Sequence, residues 1–356
     1  MFYKKFLIAF LTVLTIGFAG VLFVNFKYDP ANIYNDGLVN KAVDIMLKGE
    51  HVLGLSNYNE RQLKKTFIVK DNKEINTVVF GSSRAMSISS NDDSLRNYSV
   101  SGAVLEDILG LWNVLDNTKD YKSVIIGIDA WIFNENSGEK RWKTLNEDYT
   151  NALKKLNVNN SNNNSIDFDK YWQLISLDYL KASLKVLRNK DKGSNLEGVT
   201  DLNCDKILLL KDGAIYYGNS KNNISVREVD KEAKEYLKGG IYHLEGFERL
   251  DENRLAIFNR FIGRLVNDKK SVVLFLTPYH PTVYEFLANN DRYRMVLETE
   301  KLIRGLVVND NIRIIGSFDP NKCGINEADF MDGMHLKNCS IDVFIKRSLS
   351  LKIGDL

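Results

Sequence analysis

The chain has 356 residues, of which 44% are hydrophobic and 26% charged, with a net charge of only +2. These are the proportions of a folded globular protein, and no basic block is long enough to track a phosphate backbone, which sets nucleic acid aside as a partner. The three cysteines, Cys204, Cys323 and Cys339, form no CxxC pair and no Cys/His cluster with zinc-ligand spacing, so neither a metal site nor a cofactor is expected. Cys323 and Cys339 could in principle bridge and leave Cys204 free, but the odd count reads better as three buried or half-buried thiols.

From Phe6 to Phe26 no residue is charged, Lys4 and Lys5 precede the run, and Lys27 and Asp29 follow it. About 20 apolar residues suffice to cross a bilayer core. The run is too long and its end too bulky for a cleaved signal peptide, and the flanking charge predicts an N-terminus inside. The expected organisation is a cytoplasmic tail at 1–5, a single-pass anchor at 6–26, a juxtamembrane segment at 27–74 and an extracytoplasmic domain at 75–356.

Within 27–74 one helix is predicted near Lys41–Lys48. Short β-branched runs then predict strands at Thr77–Phe80, Tyr98–Val100, Ser123–Ile128, Ser271–Leu276 and Ile312–Ile315, with helical periodicity at Leu105–Leu115 and Arg254–Val266. Continuous apolar strands alternating with amphipathic helices mark a parallel sheet covered on both faces. Between Asn134 and Arg249 the alternation lapses. That stretch holds an Asn/Ser loop at Asn159 to Ser165, helical spacing near Tyr171–Leu187, and a hairpin in which Asp212-Gly213 makes a two-residue turn. It reads as a cap inserted at about 135–249.

Three local patterns carry chemistry. Gly81-Ser82-Ser83-Arg84 follows a buried strand, where open α/β sheets place their sites. A serine opening a helix there has free N–H groups beside it that suit an oxyanion, although Ser82 or Ser83 would also serve as a plain helix cap. Asp332-Gly333-Met334-His335 puts a base and the carboxylate that orients it on one loop. Asn97 through Gly102 ends in a glycine that lets backbone N–H approach a carbonyl oxygen closely, or that simply joins strand to helix.

In this order the three patterns resemble the SGNH-hydrolase superfamily, whose blocks carry a Gly-Asp-Ser-like nucleophile turn, an oxyanion glycine and a late Asp-x-x-His. The resemblance implies a three-layer α/β/α, flavodoxin-like core. It assigns Ser83, Asp332 and His335 as catalytic triad, and the N–H groups of Ser83 and Gly102 as oxyanion donors. Two blocks depart: Ser82 replaces the first-block Asp, and Gly127-Ile128-Asp129-Ala130-Trp131-Ile132-Phe133-Asn134 replaces the usual Gly-x-Asn-Asp, leaving the third donor unnamed. The altered version, with its anchor and Thr277-Pro278-Tyr279-His280-Pro281, resembles the membrane-tethered branch that includes the D-alanyl transfer protein of teichoic acid synthesis and the acetylation proteins of alginate and other surface polysaccharides.

That branch implies acyl transfer to, or removal from, a cell-surface glycopolymer, beside a membrane-bound O-acyltransferase. The alternative is a non-catalytic, membrane-tethered glycopolymer-binding or assembly subunit of the same shape. Arg84 would meet an anionic acceptor or pair with a local carboxylate. Asp129 and Trp131 would shape the pocket, with a helix cap as the other role for Asp129. His280 would line the acceptor site or serve structure alone. Trp131, Tyr216, Tyr217 and Tyr279 would stack on sugar rings or pack internally.

Overall fold

The structure is a computed structural model and describes residues 2–29, 37–90, 93–158, 169–188, 196–306 and 311–350. The Asn/Ser loop at Asn159 to Ser165 lies outside them. In chain order the helices are α1 (Phe2–Tyr28), α2 (Gly37–Leu47), α3 (Glu60–Lys70), α4 (Leu105–Asp116), α5 (Asn146–Lys155), α6 (Asp169–Ile175), α7 (Leu177–Arg188), α8 (Asn219–Asn222), α9 (Val226–Tyr236), α10 (Glu252–Asn267), α11 (Pro281–Ala288), α12 (Arg294–Gly305) and α13 (Asn338–Ser350). The strands are β1 (His51–Leu53), β2 (Thr77–Phe80), β3 (Leu95–Asn97), β4 (Ser123–Ile128), β5 (Glu197–Val199), β6 (Leu208–Leu209), β7 (Ile215–Tyr216), β8 (Ser271–Leu276) and β9 (Ile312–Gly316).

Five strands form a parallel sheet in the order β3-β2-β4-β8-β9. Renumbered within the sheet this is 2-1-3-4-5, the flavodoxin-like order, and its switch point lies at the carboxyl ends of the first and third strands, β2 and β4. The period of two in an extended chain sorts the strand residues into two cores. Val78, Phe80, Val124, Ile126, Val272 and Leu274 pack with Leu63, Leu109, Phe258 and Phe261 of α3, α4 and α10. Val79, Ile125, Val273 and Phe275 face the other way and pack with Ile341, Phe344 and Ile345 of α13. Helices on both faces explain why the strands are apolar at nearly every position.

Polar residues are what displaced the second strand. It was expected at Tyr98–Val100 and forms at Leu95–Asn97, where Arg96 is buried because its guanidinium donates to Asp71 at 2.7 Å. Tyr98 and Val100 still run beside β2, donating to Val79 and Gly81 carbonyls, but past the regular ladder.

The segment at 37–74 is part of the folded body rather than a separate juxtamembrane piece. Val39, Ala42, Val43 and Met46 recur at helical spacing on one face of α2 and are buried in the main core with Leu63 and Phe67 of α3. Likewise β1 pairs with β5 and β6, and β6 with β7, in an antiparallel sheet of order β5-β1-β6-β7. The inserted region therefore shares a sheet with residues that precede the main one. The expected helix near Tyr171–Leu187 is two helices broken at Ser176, and the expected two-residue hairpin turn is longer. Leu210 N–H bonds to Ala214 C=O and Gly213 N–H to Leu210 C=O, which leaves three residues in the loop.

α1 runs about 40 Å at the rise of an α-helix, and it is long and apolar enough to cross a membrane. Its large apolar side chains, Phe6, Leu7, Ile8, Phe10 and Leu14 among them, are exposed. The hydroxyls of Thr12 and Thr15 donate to carbonyls one turn back, which removes their polarity from the helix surface.

Candidate active site

Ser83 sits three residues after Phe80, the last residue of β2, on a turn rather than on the expected helix. Ala85, Met86 and Ile88 N–H groups bond three residues back, to Ser82, Ser83 and Ala85, so the chain coils through successive tight turns without completing a helix. Two glycines let this turn settle on the sheet. A Cβ on Gly81 would lie 2.9 Å from Ala85 Cβ and one on Gly127 2.8 Å from the same atom, approaches that side chains do not make.

Asn97, at the end of β3, clamps the turn from beside. Its Nδ2 donates to the carbonyls of Ala85 at 2.8 Å, Met86 at 3.3 Å and Ile88 at 2.9 Å, and its Oδ1 accepts from Ser99 N–H at 2.9 Å. Asn97 is fully buried, and these bonds give both its amide nitrogen and its amide oxygen a partner. Lys64, itself buried, donates to the Asn97 carbonyl at 3.0 Å and to the Gly213 carbonyl. Burial pushes its ammonium down to about 8. The sequence places Asn97 in the motif, and its role as a clamp emerges only from the three carbonyls it gathers.

The loop after the last strand supplies the partner. Phe330 and Leu336 form an antiparallel bridge, and Met331 N–H bonds to His335 C=O at 2.9 Å, which closes the loop that carries Asp332 and His335. Asp332 Oδ1 accepts the backbone N–H groups of Met334 and His335, each at 2.8 Å. Burial alone would raise the Asp332 carboxyl. The facing His335, its ring hydrogen bond and the two backbone N–H groups outweigh burial and hold it at about 2.

His335 Nδ1 lies 2.8 Å from Asp332 Oδ2 and its Nε2 2.9 Å from Ser83 Oγ. An ionised Asp332 can only accept, so Nδ1 carries the proton and Nε2 is left to accept from the Ser83 hydroxyl. Residues 252 apart in sequence thus meet at hydrogen-bond distance, both half-buried. An array of this kind can take the serine proton as the oxygen attacks a carbonyl and return it to a leaving oxygen.

The Ser83 and Gly102 N–H groups bond to no other group among the described residues. Gly102 has φ +58, in the region that favours glycine, and a Cβ there would overlap the Tyr242 hydroxyl and the Arg141 guanidinium. Arg141 donates to that hydroxyl at 2.8 Å. Beside it Glu60 accepts both the N–H and the hydroxyl of Ser101, at 2.6 and 2.8 Å. Glu60, Arg141 and Tyr242 come from parts of the chain whose composition gave no sign of them.

The remaining candidates do not line an open acceptor groove. Arg84 is buried; it donates to Asp129 Oδ1 at 2.9 Å, to the Thr277 carbonyl at 2.6 Å and to the Met334 carbonyl at 3.2 Å, and it stacks 3.9 Å above the Tyr279 ring. The reading of Arg84 as contact for an anionic acceptor gives way to pairing with Asp129, because all its donors point inward. Asp129 also accepts from the Thr277 hydroxyl at 2.8 Å, and Trp131 donates to the Ala103 carbonyl at 3.0 Å. Tyr279 is fully enclosed. His280 caps α11 by accepting from Thr282 N–H, and its backbone N–H reaches the Gly333 carbonyl at 3.2 Å. Burial lowers its imidazole below the ordinary value. All five are withdrawn behind the serine and histidine and hold the strand ends together.

Tyr217 stands nearer. Its hydroxyl is 3.5 Å from the Ser83 carbonyl and its ring centre 6.2 Å from that of His335. Tyr216 turns away and donates to Asn219. The β6–β7 hairpin is tied to both halves of the site: Ile215 N–H bonds to Met86 C=O, and Asn338, just after the histidine loop, donates to Ile215 C=O at 2.7 Å. Among the described residues no group of three His, Cys, Asp or Glu side chains could hold a metal ion. The three cysteines are free.

No family model matches the chain, and no curated protein is similar to it in sequence. Among solved structures it is similar to a Streptococcus pneumonia protein described as a candidate platelet activating factor. That likeness covers 81% of this chain and 88% of the other, with 8% identity and a TM-score of 0.37. So remote a likeness says nothing of chemistry, which is read from the side chains alone.

Proposed function

We propose that this chain is a membrane-anchored, extracytoplasmic serine acyltransferase or esterase of the SGNH type, with Ser83 as nucleophile, His335 as base and Asp332 as orienter. The observation that carries the reading is His335 hydrogen-bonded through Nε2 to Ser83 Oγ at 2.9 Å and through Nδ1 to Asp332 at 2.8 Å. Ser83 Oγ attacks an acyl carbonyl as its proton passes to His335 Nε2, and the carbonyl π electrons collect on oxygen. The N–H groups of Ser83 and Gly102 receive that oxyanion, and the Arg141 guanidinium beside Gly102 is itself paired with Glu139. Collapse breaks the bond to the leaving oxygen, which takes the proton from His335. A hydroxyl of a sugar, or water, then repeats the sequence on the acyl-serine and restores the enzyme.

The substrate class proposed is an acylated cell-surface polysaccharide or teichoic-acid-like polymer, reached beside a membrane-bound O-acyltransferase, with α1 as the single-pass anchor and its N-terminus in the cytoplasm. The experiment is polymer acylation measured in cells carrying the wild-type chain or Ser83→Ala. Acylation should change by orders of magnitude; an unchanged level at equal protein abundance would refute the reading.

A further inference from the structure

We infer that the α6–α7 hairpin is a lipid-facing seat, which rests the folded domain on the anionic headgroup layer at the end of α1. This rests on reading α1 as the membrane helix. The first observation is a polar lock at the end of that helix. Asn25, fully buried within an otherwise apolar run, donates from Nδ2 to the carbonyls of Leu174 at 2.8 Å and Ser176 at 3.2 Å, and accepts from the Ser183 hydroxyl at 3.1 Å. One turn on, Asp29 accepts from the Tyr179 hydroxyl at 2.6 Å. These bonds tie the break between α6 and α7, and the Tyr179 and Ser183 side chains of α7, to the end of α1, so the hairpin is fixed there.

The second observation is what the hairpin shows to its surroundings. Tyr179 and Ser183, one turn apart, face α1, while Trp172, Tyr171, Leu177, Leu184 and Val186 are exposed, Trp172 at 64% and Leu177 at 67%. Leu177, Lys181, Leu184 and Arg188 follow the spacing of one helical stripe, and Lys185 lies beside it. Large apolar side chains interleaved with long basic ones are the composition of a helix lying in a membrane interface. There aromatic rings sit at headgroup depth and lysine stems reach toward lipid phosphates. α7 carries three basic residues against one acidic, Asp178, which suits an anionic surface. Because this patch is continuous with the end of an exposed apolar helix, lipid is the occupant to which both surfaces commit.

The full chain is reconstituted into vesicles of phosphatidylcholine and phosphatidylglycerol whose acyl chains carry bromine near the glycerol end, and tryptophan emission is read alongside vesicle flotation. Trp112 and Trp131 are fully buried and Trp142 is half-buried, so Trp172 dominates the accessible signal. The seat predicts strong quenching in the wild type and loss of most of it in Trp172→Phe, with both proteins floating. If both float and Trp172→Phe keeps the full quenching, the seat is refuted while the anchor stands, and a protein occupant takes its place. Failure of the chain to float refutes anchor and seat together.

Discussion

Arg84 and Asp129 meet at 2.9 Å with each side chain 1% exposed, and through them the serine turn, the end of β4, the end of β8 and the histidine loop are bound into one unit. A buried pair of this kind costs desolvation on both sides, and removing one partner leaves the other charge uncompensated. Arg84→Met should therefore destabilise the protein by about 3–5 kcal/mol, read as a lower urea midpoint. The double variant Arg84→Met/Asp129→Leu should recover much of that loss. Additive losses in the double variant would show that the two side chains do not act as a pair.

Asn97 makes a second prediction, about geometry more than charge. Asn97→Asp keeps shape and removes the donor that gathers the carbonyls of Ala85, Met86 and Ile88. With that turn released by something near 1 Å, kcat should fall about 100-fold, with a stability loss of about 1–3 kcal/mol. A variant with full kcat would show that the turn holds Ser83 without the clamp.

Acid stability follows from Asp332. Its carboxyl is held at about 2, below the ordinary 3.8, because His335 and two backbone N–H groups outweigh burial. A lowered folded value means that the unfolded chain binds the proton first as pH falls. The contribution is therefore whole above about pH 4 and is lost as pH drops toward 2. Asp332→Asn should flatten the pH dependence of the urea midpoint in that window and cut turnover about 10⁴-fold. Equal slopes for the two proteins would contradict the ion pair.

Gly102→Ala tests the oxyanion side. The new methyl must be borne at φ +58 and displaces Tyr242 and Arg141 side-chain ends. The backbone term is about 1–2 kcal/mol, so the variant should stay folded while kcat falls. A variant that loses stability and keeps its kcat would remove Gly102 from the chemistry.

The thiols give a simple chemical check. Burial pushes the Cys323 thiol up to about 12, whereas Cys339 is exposed. Iodoacetamide should label Cys339 in the native protein and reach Cys323 only on unfolding. Equal labelling of both would place Cys323 outside the core.

Much of this arrangement can be read from sequence where one force dominates. Thr77–Phe80, Ser123–Ile128 and Ser271–Leu276 form strands at the expected residues, because a strand covered on both faces has no polar position to blur its ends. Asp332 and His335 are adjacent on one loop, so their pairing needed no long-range knowledge. What stayed hidden depends on contacts between distant segments. β3 contains a buried Arg96 that only Asp71 makes tolerable, and β1 is three residues long and exists by pairing with β5 and β6. Arg84 illustrates the same limit: its neighbours in sequence say nothing of Asp129, Thr277 or Met334, which converge on it from three other segments.

The central claim is that the Ser83 hydroxyl is activated by His335. Reaction of the folded chain with a fluorophosphonate, followed by peptide mass analysis, tests this most directly. The account predicts one adduct, on Ser83, that is absent in Ser83→Ala and strongly slowed in His335→Ala. A folded wild-type chain that never labels, or labelling that persists in Ser83→Ala, would contradict it.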